Sequence, residues 1–210
     1  MSAVVQVGAI APATRSLGPG LRAVLWVQGC PLRCPGCLAP DWLEFGAGRP
    51  MTVPEVVSEL LSDQRVTGLT FSGGEPMAQA PALTEVIRRA RGRRPLTLIC
   101  FTGMRLESLR LAPPSDEVAG LLGEVDVLID GPYVARLDDG LGLRGSSNQR
   151  VHHLTERLRA ADSQLRTGPR SAEIRISGDS ALLVGVPPAG LLGAFEQAAS
   201  RLAGAPPQPR

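Results

Sequence analysis

The sequence predicts an α/β fold in which parallel strands alternate with helices, and two observations lead to that prediction. The first is a set of four apolar, partly β-branched runs that favour buried strands: Arg22 to Val27, Val66 to Phe71, Leu96 to Phe101 and Val125 to Asp130. The second is that each run ends in a polar or glycine-rich turn, with helical segments between most of them. This alternation indicates parallel strands joined by right-handed crossovers. In such sheets the chemically active residues gather at the carboxyl ends of the strands.

Local signals place the other elements of the N-terminal half. Val4 to Ile10 is expected to form a short strand, and the stretch from Ala11 to Gly20 is expected to be turn-rich. Thr52 and Glu55 form a capping-box pattern, which predicts a helix that runs to about Ser62.

The C-terminal part of the chain departs from this alternation. Asp138 to Arg150 is polar and glycine-rich, which is typical of a loop. Glu173 to Ser177 and Ala181 to Val186, separated by a Gly-Asp pair, predict a hairpin. The other helical segments expected are Pro81 to Arg91, a weaker stretch between Leu106 and Leu122, His152 to Arg166 and Leu191 to Leu202. We expect a single domain over residues 1–203 and a disordered tail over residues 204–210.

The composition argues against several classes of function. With 210 residues, of which 43% are hydrophobic, the chain can build one substantial core. A net charge of +2 and an aromatic content of 3% argue against binding to nucleic acid. No apolar run approaches the roughly 20 residues that span a bilayer, and Met1 to Ile10 lacks the features of a signal peptide. We therefore expect a cytoplasmic protein that binds no membrane, with cysteines that serve as metal ligands or buried thiols.

Three cysteines lie close together in the loop after the first of the four strands, with the spacing Cys30-x-x-x-Cys34-x-x-Cys37. Thiolates are soft ligands that suit zinc or iron–sulfur clusters. A [4Fe–4S] cluster normally takes four cysteines, so three would leave one iron free to bind a substrate through an amine and a carboxylate. A structural zinc site is the alternative, and it would need a fourth ligand. Cys100 lies in an apolar strand and is interpreted as a buried apolar residue.

Candidate binding residues follow the other predicted strands. Gly73-Gly74-Glu75-Pro76 ends the second strand, where two glycines let the backbone approach a ligand. The carbonyls of this turn and the Glu75 carboxylate could receive an ammonium group. Thr102 and Asp130 end the third and fourth strands, so Thr102 could line a cofactor pocket and Asp130 could bind a ribose or a substrate. The alternatives are an ordinary turn at Gly73-Gly74, another at Thr102 and an Asx turn at Asp130.

The cysteine spacing followed by Gly73-Gly74-Glu75-Pro76 resembles the radical S-adenosylmethionine superfamily. Within it, the chain is similar to the activating enzymes of glycyl radical enzymes, in particular that of anaerobic ribonucleotide reductase, over roughly residues 17 to 153. Many members place an aromatic residue just before the third cysteine, where this chain has Gly36. The further stretches that carry the likeness are Gly18-Pro19-Gly20-Leu21-Arg22, Gln28-Gly29-Cys30, Asp130-Gly131-Pro132-Tyr133 and Arg144-Gly145-Ser146-Ser147-Asn148-Gln149.

The resemblance implies both a fold and a chemistry. The fold would be a partial, open (β/α) barrel of the radical S-adenosylmethionine type with a C-terminal hairpin and helix. Cys30, Cys34 and Cys37 would be the metal ligands and catalytic residues, holding a [4Fe–4S] cluster whose free iron binds S-adenosylmethionine. One-electron reduction would cleave that molecule to methionine and a 5′-deoxyadenosyl radical, which takes a hydrogen atom from the substrate. The residues that would contact S-adenosylmethionine are Gly73, Gly74, Glu75, Pro76, Thr102 and Asp130.

The resemblance also implies partners. In activating enzymes the hydrogen atom comes from a backbone glycine of a partner protein, so the implied partner is a glycyl radical enzyme. The implied electron donor is a flavodoxin or a ferredoxin. A radical enzyme that modifies a peptide or small molecule is a second hypothesis, and a non-catalytic zinc- or cluster-binding module is a third.

Two polar segments carry open alternatives. The loop from Arg144 to Gln149 is either a solvated loop or, by its likeness to the family, a docking or active-site segment. The basic run from Arg88 to Arg94 is either a solvated helix end or a docking site for an acidic electron carrier.

Overall fold

The computed structural model describes residues 3–178, 180–188 and 190–202, so the predicted tail over residues 204–210 lies outside the described residues. The strands are β1 (Val4–Thr14), β2 (Arg22–Val27), β3 (Arg49–Thr52), β4 (Gly68–Gly73), β5 (Thr97–Thr102), β6 (Val127–Asp130), β7 (Arg150–His153), β8 (Ala172–Ser177) and β9 (Ser180–Gly185). The α-helices are α1 (Val53–Leu60), α2 (Ala80–Arg91), α3 (Leu106–Leu111), α4 (Val118–Glu124), α5 (Asp162–Thr167) and α6 (Leu191–Leu202). Short 3-10 helices occupy Pro40–Trp42, Pro76–Gln79, Ala135–Leu137 and Arg159–Ala161. None of these helices has both the length and the apolar character that crossing a membrane requires.

Seven strands form one sheet in the order β3-β1-β2-β4-β5-β6-β7. The four strands predicted from the apolar runs, β2, β4, β5 and β6, pair in parallel. β1 pairs antiparallel with both β2 and β3, and β7 pairs antiparallel with β6. β8 and β9 form the predicted hairpin as a separate two-stranded sheet. The α/β class is therefore confirmed.

Side chains of the parallel strands alternate between two apolar layers. In β2, Leu25 belongs to the first layer and the next residue, Trp26, belongs to the second. The first layer also contains side chains from α1, α2, α3 and α4, so these four helices cover one face of the sheet. The second layer contains Val184 of β9, so the hairpin covers part of the other face. Representative helix residues of the first layer are Leu60, Leu83, Leu109 and Leu121.

The first strand is longer than predicted. It extends beyond Ile10 to Thr14, because Ala11 and Thr14 pair with Val24 and Arg22 of β2. Backbone pairing with a buried neighbour therefore overrides the turn-rich composition of this stretch.

The two edge strands β3 and β7 were not anticipated by the sequence pattern. β3 contains Pro50, and β7 consists of an arginine, a valine and two histidines, so neither shows the apolar pattern of a buried strand. The predicted helix from His152 to Arg166 is wrong, because its first two residues pair with β6. Only its last part, Asp162–Thr167, is α-helical.

The weak helical stretch between Leu106 and Leu122 is divided into two helices. α3 ends at Leu111, and Pro113 and Pro114 follow after one residue, Ala112. Proline lacks the backbone N–H that an α-helix needs and clashes with the preceding turn, so the stretch cannot continue as one helix. α4 begins after this break, at Val118.

Arg22 is a fully buried cation within the parallel sheet. Its guanidinium donates to the Thr70 hydroxyl at 2.8 Å, to the Thr97 hydroxyl at 3.0 Å and to the Leu69 carbonyl. Burial lowers the pKa of Arg22 to about 9, which leaves it charged at neutral pH. These bonds tie the first halves of β2, β4 and β5 together, at the end of the sheet remote from the strand-end turns.

Candidate functional site

A cavity of about 480 Å³ lies at the carboxyl ends of the parallel strands. Its size falls within the range of small-molecule binding sites. The cavity brings together the three loop cysteines, the turn after β4 and the end of β5. The sequence predicted that all three would lie at the same edge of the sheet. The cavity lining includes Cys30, Cys34, Cys37, Gly73, Gly74, Glu75, Thr102 and Gly103.

The cysteine loop leaves β2 and is fastened to the segment that follows it. The backbone N–H of Gly29 donates to the carbonyl of Trp42 at 2.9 Å, and that of Cys30 donates to the carbonyl of Leu43 at 3.0 Å. A turn brings Cys37 back to Cys34, with its N–H 3.2 Å from the Cys34 carbonyl. These backbone hydrogen bonds therefore fix the path of the loop along one wall of the cavity.

Gly36 adopts a left-handed backbone conformation, with φ at +71°. A residue with a side chain is strained in this region, and glycine is not. The backbone conformation of the turn between Cys34 and Cys37 therefore explains why Gly36 occupies the position before the third cysteine.

The three thiols differ in exposure, and burial affects the protonation of two of them, Cys30 and Cys37. Cys30 is only 7% exposed, whereas Cys34 and Cys37 are half-buried, and all three are free thiols. Burial raises the pKa of Cys30 to about 11, and it raises the pKa of Cys37 as well. In the absence of metal these two sulfurs are therefore protonated at neutral pH, and a metal must displace their protons.

Within the described residues, no three His, Cys, Asp or Glu side chains converge on one point as ligands of a single metal ion must. A mononuclear zinc site requires its sulfurs to meet about 2.3 Å from one centre. In an iron–sulfur cube each thiolate binds a different iron, so the sulfurs surround the cluster instead of converging. Cys30, Cys34 and Cys37 do line one cavity, as three thiolates around one cluster must.

The turn after β4 packs directly against the start of the cysteine loop. The N–H of Gly74 donates to the carbonyl of Val27 at 2.7 Å, and the N–H of Glu75 donates to the carbonyl of Gly29 at 2.9 Å. A β-carbon at Gly74 would lie 2.2 Å from the Gly29 carbonyl oxygen, and Gly73 has φ at +100°. Only glycine fits at both positions, so the glycine pair fixes the turn against the cysteine loop.

Glu75 is fully buried beneath this turn. Its carboxylate accepts hydrogen bonds from the N–H of Met77, the hydroxyl of Thr102 and the N–H of Gly103, each at 2.9 Å. Burial raises the pKa of Glu75, and the three hydrogen bonds oppose that rise. The structure thus joins two predicted site residues, Glu75 and Thr102, and directs the carboxylate into the protein, where it holds the ends of β4 and β5 together.

Asp130 is placed differently from the other predicted ligands. Its side chain points to the helix-covered face of the sheet, and unlike Thr102, which lies opposite it in β5, it does not line the cavity. Its carboxylate accepts from the guanidinium of Arg150, with Nε 3.0 Å from Oδ1, and from the N–H of Leu106 at 2.7 Å. Burial raises the pKa of Asp130, but the bonds from Arg150 and Leu106 outweigh burial and lower it below its ordinary value. A direct contact between Asp130 and a cofactor stays a prediction.

The polar loop from Arg144 to Gln149 contributes Gly145 and Gln149 to the cavity lining. The Gln149 side chain accepts from the N–H of Gly145 at 2.8 Å and donates to the carbonyl of Gly131 at 2.8 Å. It therefore joins this loop to the turn that follows β6. The loop is thus part of the site and is not merely solvated.

Several residues of the site region were not anticipated. The Arg170 guanidinium, 1% exposed, donates to Asp138 and to the carbonyls of Arg144 and Gly145. The Gln79 side chain donates to the carbonyls of Gln6 and Gln28 at 3.1 and 3.0 Å. An isolated polar residue gives no sequence signal that it will be buried, so these roles could not have been found from the pattern.

The C-terminal hairpin forms another part of the cavity wall. Ala181, Leu182 and Leu183 of β9 line the cavity, together with Gly185 and Val186. The sequence predicted the hairpin but not its position over the cysteine site.

Comparison with known proteins agrees with this geometry. The family model described as "4Fe-4S single cluster domain" matches residues 16–152. The anaerobic ribonucleoside-triphosphate reductase-activating protein of Escherichia coli (strain K12) is 36% identical over 145 residues, which cover 65% of this chain and 91% of that protein. The protein of the same name from Enterobacteria phage T4 is 32% identical over 66% of this chain and 88% of its own length.

A second group of relatives matches a shorter region. The pyruvate formate-lyase-activating enzyme of Staphylococcus aureus is 45% identical over 75 residues, which cover 33% of this chain and 30% of that enzyme. The family model covers the cysteine loop and the strand-end turns of the cavity. The chain therefore belongs to the 4Fe–4S single cluster domain family, together with the activating proteins of anaerobic ribonucleoside-triphosphate reductase.

Proposed function

We propose that this protein is a radical S-adenosylmethionine enzyme that installs a glycyl radical on a partner enzyme. The observation that carries the proposal is the cavity in which the three cysteines meet the glycine turn after β4. The relatives that match most of their own length are activating proteins of anaerobic ribonucleoside-triphosphate reductase, which makes a reductase of that class the leading candidate partner.

Cys30, Cys34 and Cys37 are the proposed ligands of a [4Fe–4S] cluster. The free thiols and their shared cavity support this assignment. These cysteines would hold the cluster, which would pass one electron from an external donor to S-adenosylmethionine and so yield methionine and a 5′-deoxyadenosyl radical. Abstraction of a hydrogen atom from a glycine Cα would convert that radical to 5′-deoxyadenosine and leave a glycyl radical on the partner.

The turn from Gly73 to Pro76 is proposed to receive the ammonium group of S-adenosylmethionine through backbone carbonyls. Its glycines bring the backbone close to the cysteine loop, as the contacts to Val27 and Gly29 show. Glu75 is a positioning residue in this proposal, because its carboxylate is already bonded to Met77, Thr102 and Gly103.

In this proposal, Thr102 and Asp130 do not contact S-adenosylmethionine directly but position residues that line its site. Thr102 holds Glu75 through its hydroxyl. Asp130 fixes the start of α3 through Leu106 and precedes Gly131, which lines the cavity.

We also propose that the sheet and its helices form the partial, open (β/α) barrel expected of this superfamily. The support is that α1 to α4 pack on one face of the sheet, as the outer helices of a barrel do. The other face then carries the second apolar layer, the cavity and the hairpin.

The proposed electron donor is a flavodoxin or a ferredoxin that approaches the half-exposed side of the site at Cys34 and Cys37. The basic run at the end of α2 is poorly placed for this role. α2 leads from the carboxyl end of β4 back to the amino end of β5, about 20 Å from the cavity along a six-residue strand. Two of its arginines, Arg88 and Arg91, are also paired with Glu124 at 2.7 and 2.8 Å.

The test uses the anaerobically reconstituted chain, S-adenosylmethionine, a reductant and the glycyl radical enzyme encoded in the same genome, with deuterium in its glycine residues. We expect a glycyl radical in the electron paramagnetic resonance spectrum and deuterium in the 5′-deoxyadenosine. Formation of 5′-deoxyadenosine without a glycyl radical would favour a peptide or small-molecule substrate instead. Stoichiometric zinc and no iron would exclude radical chemistry altogether.

A further inference from the structure

The C-terminal hairpin lies beyond the region that the family model matches, which ends at residue 152. It is nevertheless fastened to the main sheet. Glu173 of β8 accepts from the hydroxyl of Thr14 at 2.6 Å and from the N–H of Arg15 at 3.2 Å, and Val184 of β9 is fully buried in the second apolar layer. The hairpin is therefore a fixed wall of the cavity that the family model does not describe.

The way β9 lines the cavity shows which side of the strand faces it. Successive side chains of a strand point to opposite faces, so a strand that presents a face contributes alternate residues. Here the consecutive residues Ala181, Leu182 and Leu183 all line the cavity. Consecutive lining residues are expected when the edge of the strand, and not one of its faces, points into the cavity.

The pairing register identifies the backbone groups on that edge. Ser177 pairs with Ser180, with two residues between them in the sequence, and the closing pair of a hairpin with that spacing exchanges two backbone hydrogen bonds. Hydrogen-bonded pairs then alternate along the ladder, so Leu182 bonds to Arg175 whereas Ala181 and Leu183 point their N–H and C=O groups away from β8.

These outward groups have no strand to pair with in the part of the chain that the structure describes. β9 is the last strand of its two-stranded sheet, and Ala181 and Leu183 make no backbone hydrogen bond outside the hairpin within residues 3–178, 180–188 and 190–202. An exposed strand edge is a template for another extended chain. Ala181 and Leu183 line the cavity, so this edge is available to a chain that enters the site.

We propose that β9 binds the extended segment of the partner enzyme that carries the target glycine, by adding that segment as a third strand to the hairpin. This inference rests on the proposed function, which requires a backbone glycine to reach the cavity that holds Cys30, Cys34 and Cys37. Strand addition recognises the backbone and needs no particular side chain. It therefore suits a segment whose reactive residue is glycine, and it orients the glycine Cα relative to the cavity.

The first experiment is hydrogen exchange of the holoprotein, measured with and without the purified glycyl radical enzyme from the same genome. The amides of Ala181 and Leu183 are unpaired in the described structure, and we expect their exchange to slow at least about tenfold when the partner binds. The amide of Leu182 is already paired within the hairpin, so its exchange changes less. Uniform slowing along β9, or none, would overturn the inference.

The second experiment removes one outward N–H. Leu183→Pro deletes this group without deleting a bond of the hairpin, because proline is tolerated on the free edge of a strand. Leu183→Ala is the matched control, since it shortens the same side chain and keeps the N–H. We expect partner affinity to fall about three- to tenfold more in Leu183→Pro than in Leu183→Ala. Equal affinities would contradict the inference.

If Leu183→Pro lowers the iron content of the protein or its helical circular dichroism signal, Ala181→Pro repeats the test at the other outward position. The outcomes separate this inference from the proposed function. If the wild-type chain generates a glycyl radical but the alternating exchange pattern and the proline effects are absent, strand addition is wrong and the proposed function stands. If the wild-type chain generates no glycyl radical on that enzyme, the proposed function itself fails.

Discussion

Glu75 shows how one residue connects the separate motifs of the site. Its backbone N–H donates to Gly29 in the cysteine loop, while its carboxylate accepts from Thr102 and Gly103 at the end of β5. The ends of β2, β4 and β5 thus meet at a single buried residue, through both its backbone and its side chain. A buried carboxylate with three donors is sensitive to change, because a lost acceptor leaves buried donors unsatisfied.

Glu75→Gln tests this connection. The amide nitrogen of glutamine cannot accept a hydrogen bond, so at least one of the donors from Met77, Thr102 and Gly103 loses its partner. We expect the free energy of unfolding of the metal-free protein to fall by about 1–3 kcal/mol, measured by urea denaturation. Glu85→Gln is the control, because Glu85 forms only a surface pair with Arg89 and its loss should cost less than about 0.5 kcal/mol. Equal effects would show that the buried bonds contribute little.

Cys34→Ala tests the cluster assignment. The variant lacks one of the three proposed thiolate ligands, so we expect reconstitution to lose most of the iron and to abolish 5′-deoxyadenosine formation. The control is Cys100→Ala, which changes a buried cysteine of β5 that does not line the cavity. In the control, the iron content and the broad absorbance at about 400 nm should equal those of the wild type. Full activity of Cys34→Ala would remove Cys34 from the ligand set.

Cluster retention should depend on pH through Cys30. Burial raises the pKa of its metal-free thiol to about 11, and the cluster binds the thiolate, so cluster binding must release this proton. Retention in the presence of a fixed concentration of iron chelator should therefore increase from about pH 7 to about pH 8.5, well below the thiol pKa. Iron content after gel filtration measures it. Retention that falls or stays constant over this range would contradict a protonated thiol in the metal-free state.

At the scale of elements, the sequence predicts the buried strands better than the edge strands. β2, β4, β5 and β6 are apolar because the strands are covered on both faces, and that composition is visible in the sequence. β7 is polar and becomes a strand because its backbone pairs with β6, with Arg150 opposite Asp130. This pairing depends on a strand that is distant in sequence, so the local pattern does not reveal it. The prediction from the local pattern therefore assigned His152 and His153 of β7 to a helix.

The pair formed by Asp130 and Arg150 should stabilise the edge of the sheet. Asp130 is fully buried, whereas the Arg150 side chain is 38% exposed, so solvent screens the pair in part. Arg150→Leu leaves the buried carboxylate without its cation, and we expect unfolding free energy to fall by about 1–2 kcal/mol in urea denaturation. Arg110→Leu, at an exposed position of α3, should change it by less than about 0.5 kcal/mol. If the two variants behave alike, the pair does not stabilise the edge.

At the scale of the whole molecule, the candidate site could be predicted where consecutive strands supply it. The parallel pairing of β2, β4 and β5 brings their carboxyl ends to one edge, so Cys30, Gly74 and Thr102 were expected to lie together. Asp130 lies opposite Thr102 in the strand register, but its carboxylate is bonded to Arg150 and Leu106 and does not line the cavity. These bonds could not be deduced from a strand end alone. The position of the hairpin depends on long-range contacts, such as that between Glu173 and Thr14, which leave no local pattern.

A single domain requires the hairpin to unfold together with the main sheet. Val184→Ala tests whether it does. Val184 is fully buried in the second apolar layer, so the truncation should lower unfolding free energy by about 1.5–3 kcal/mol if hairpin and sheet unfold together. Ile176→Ala is the control, because Ile176 is 74% exposed. Urea midpoints and amide exchange of β8 and β9 should then change together. Faster exchange confined to the hairpin, with an unchanged midpoint, would instead show that the hairpin opens separately from the sheet.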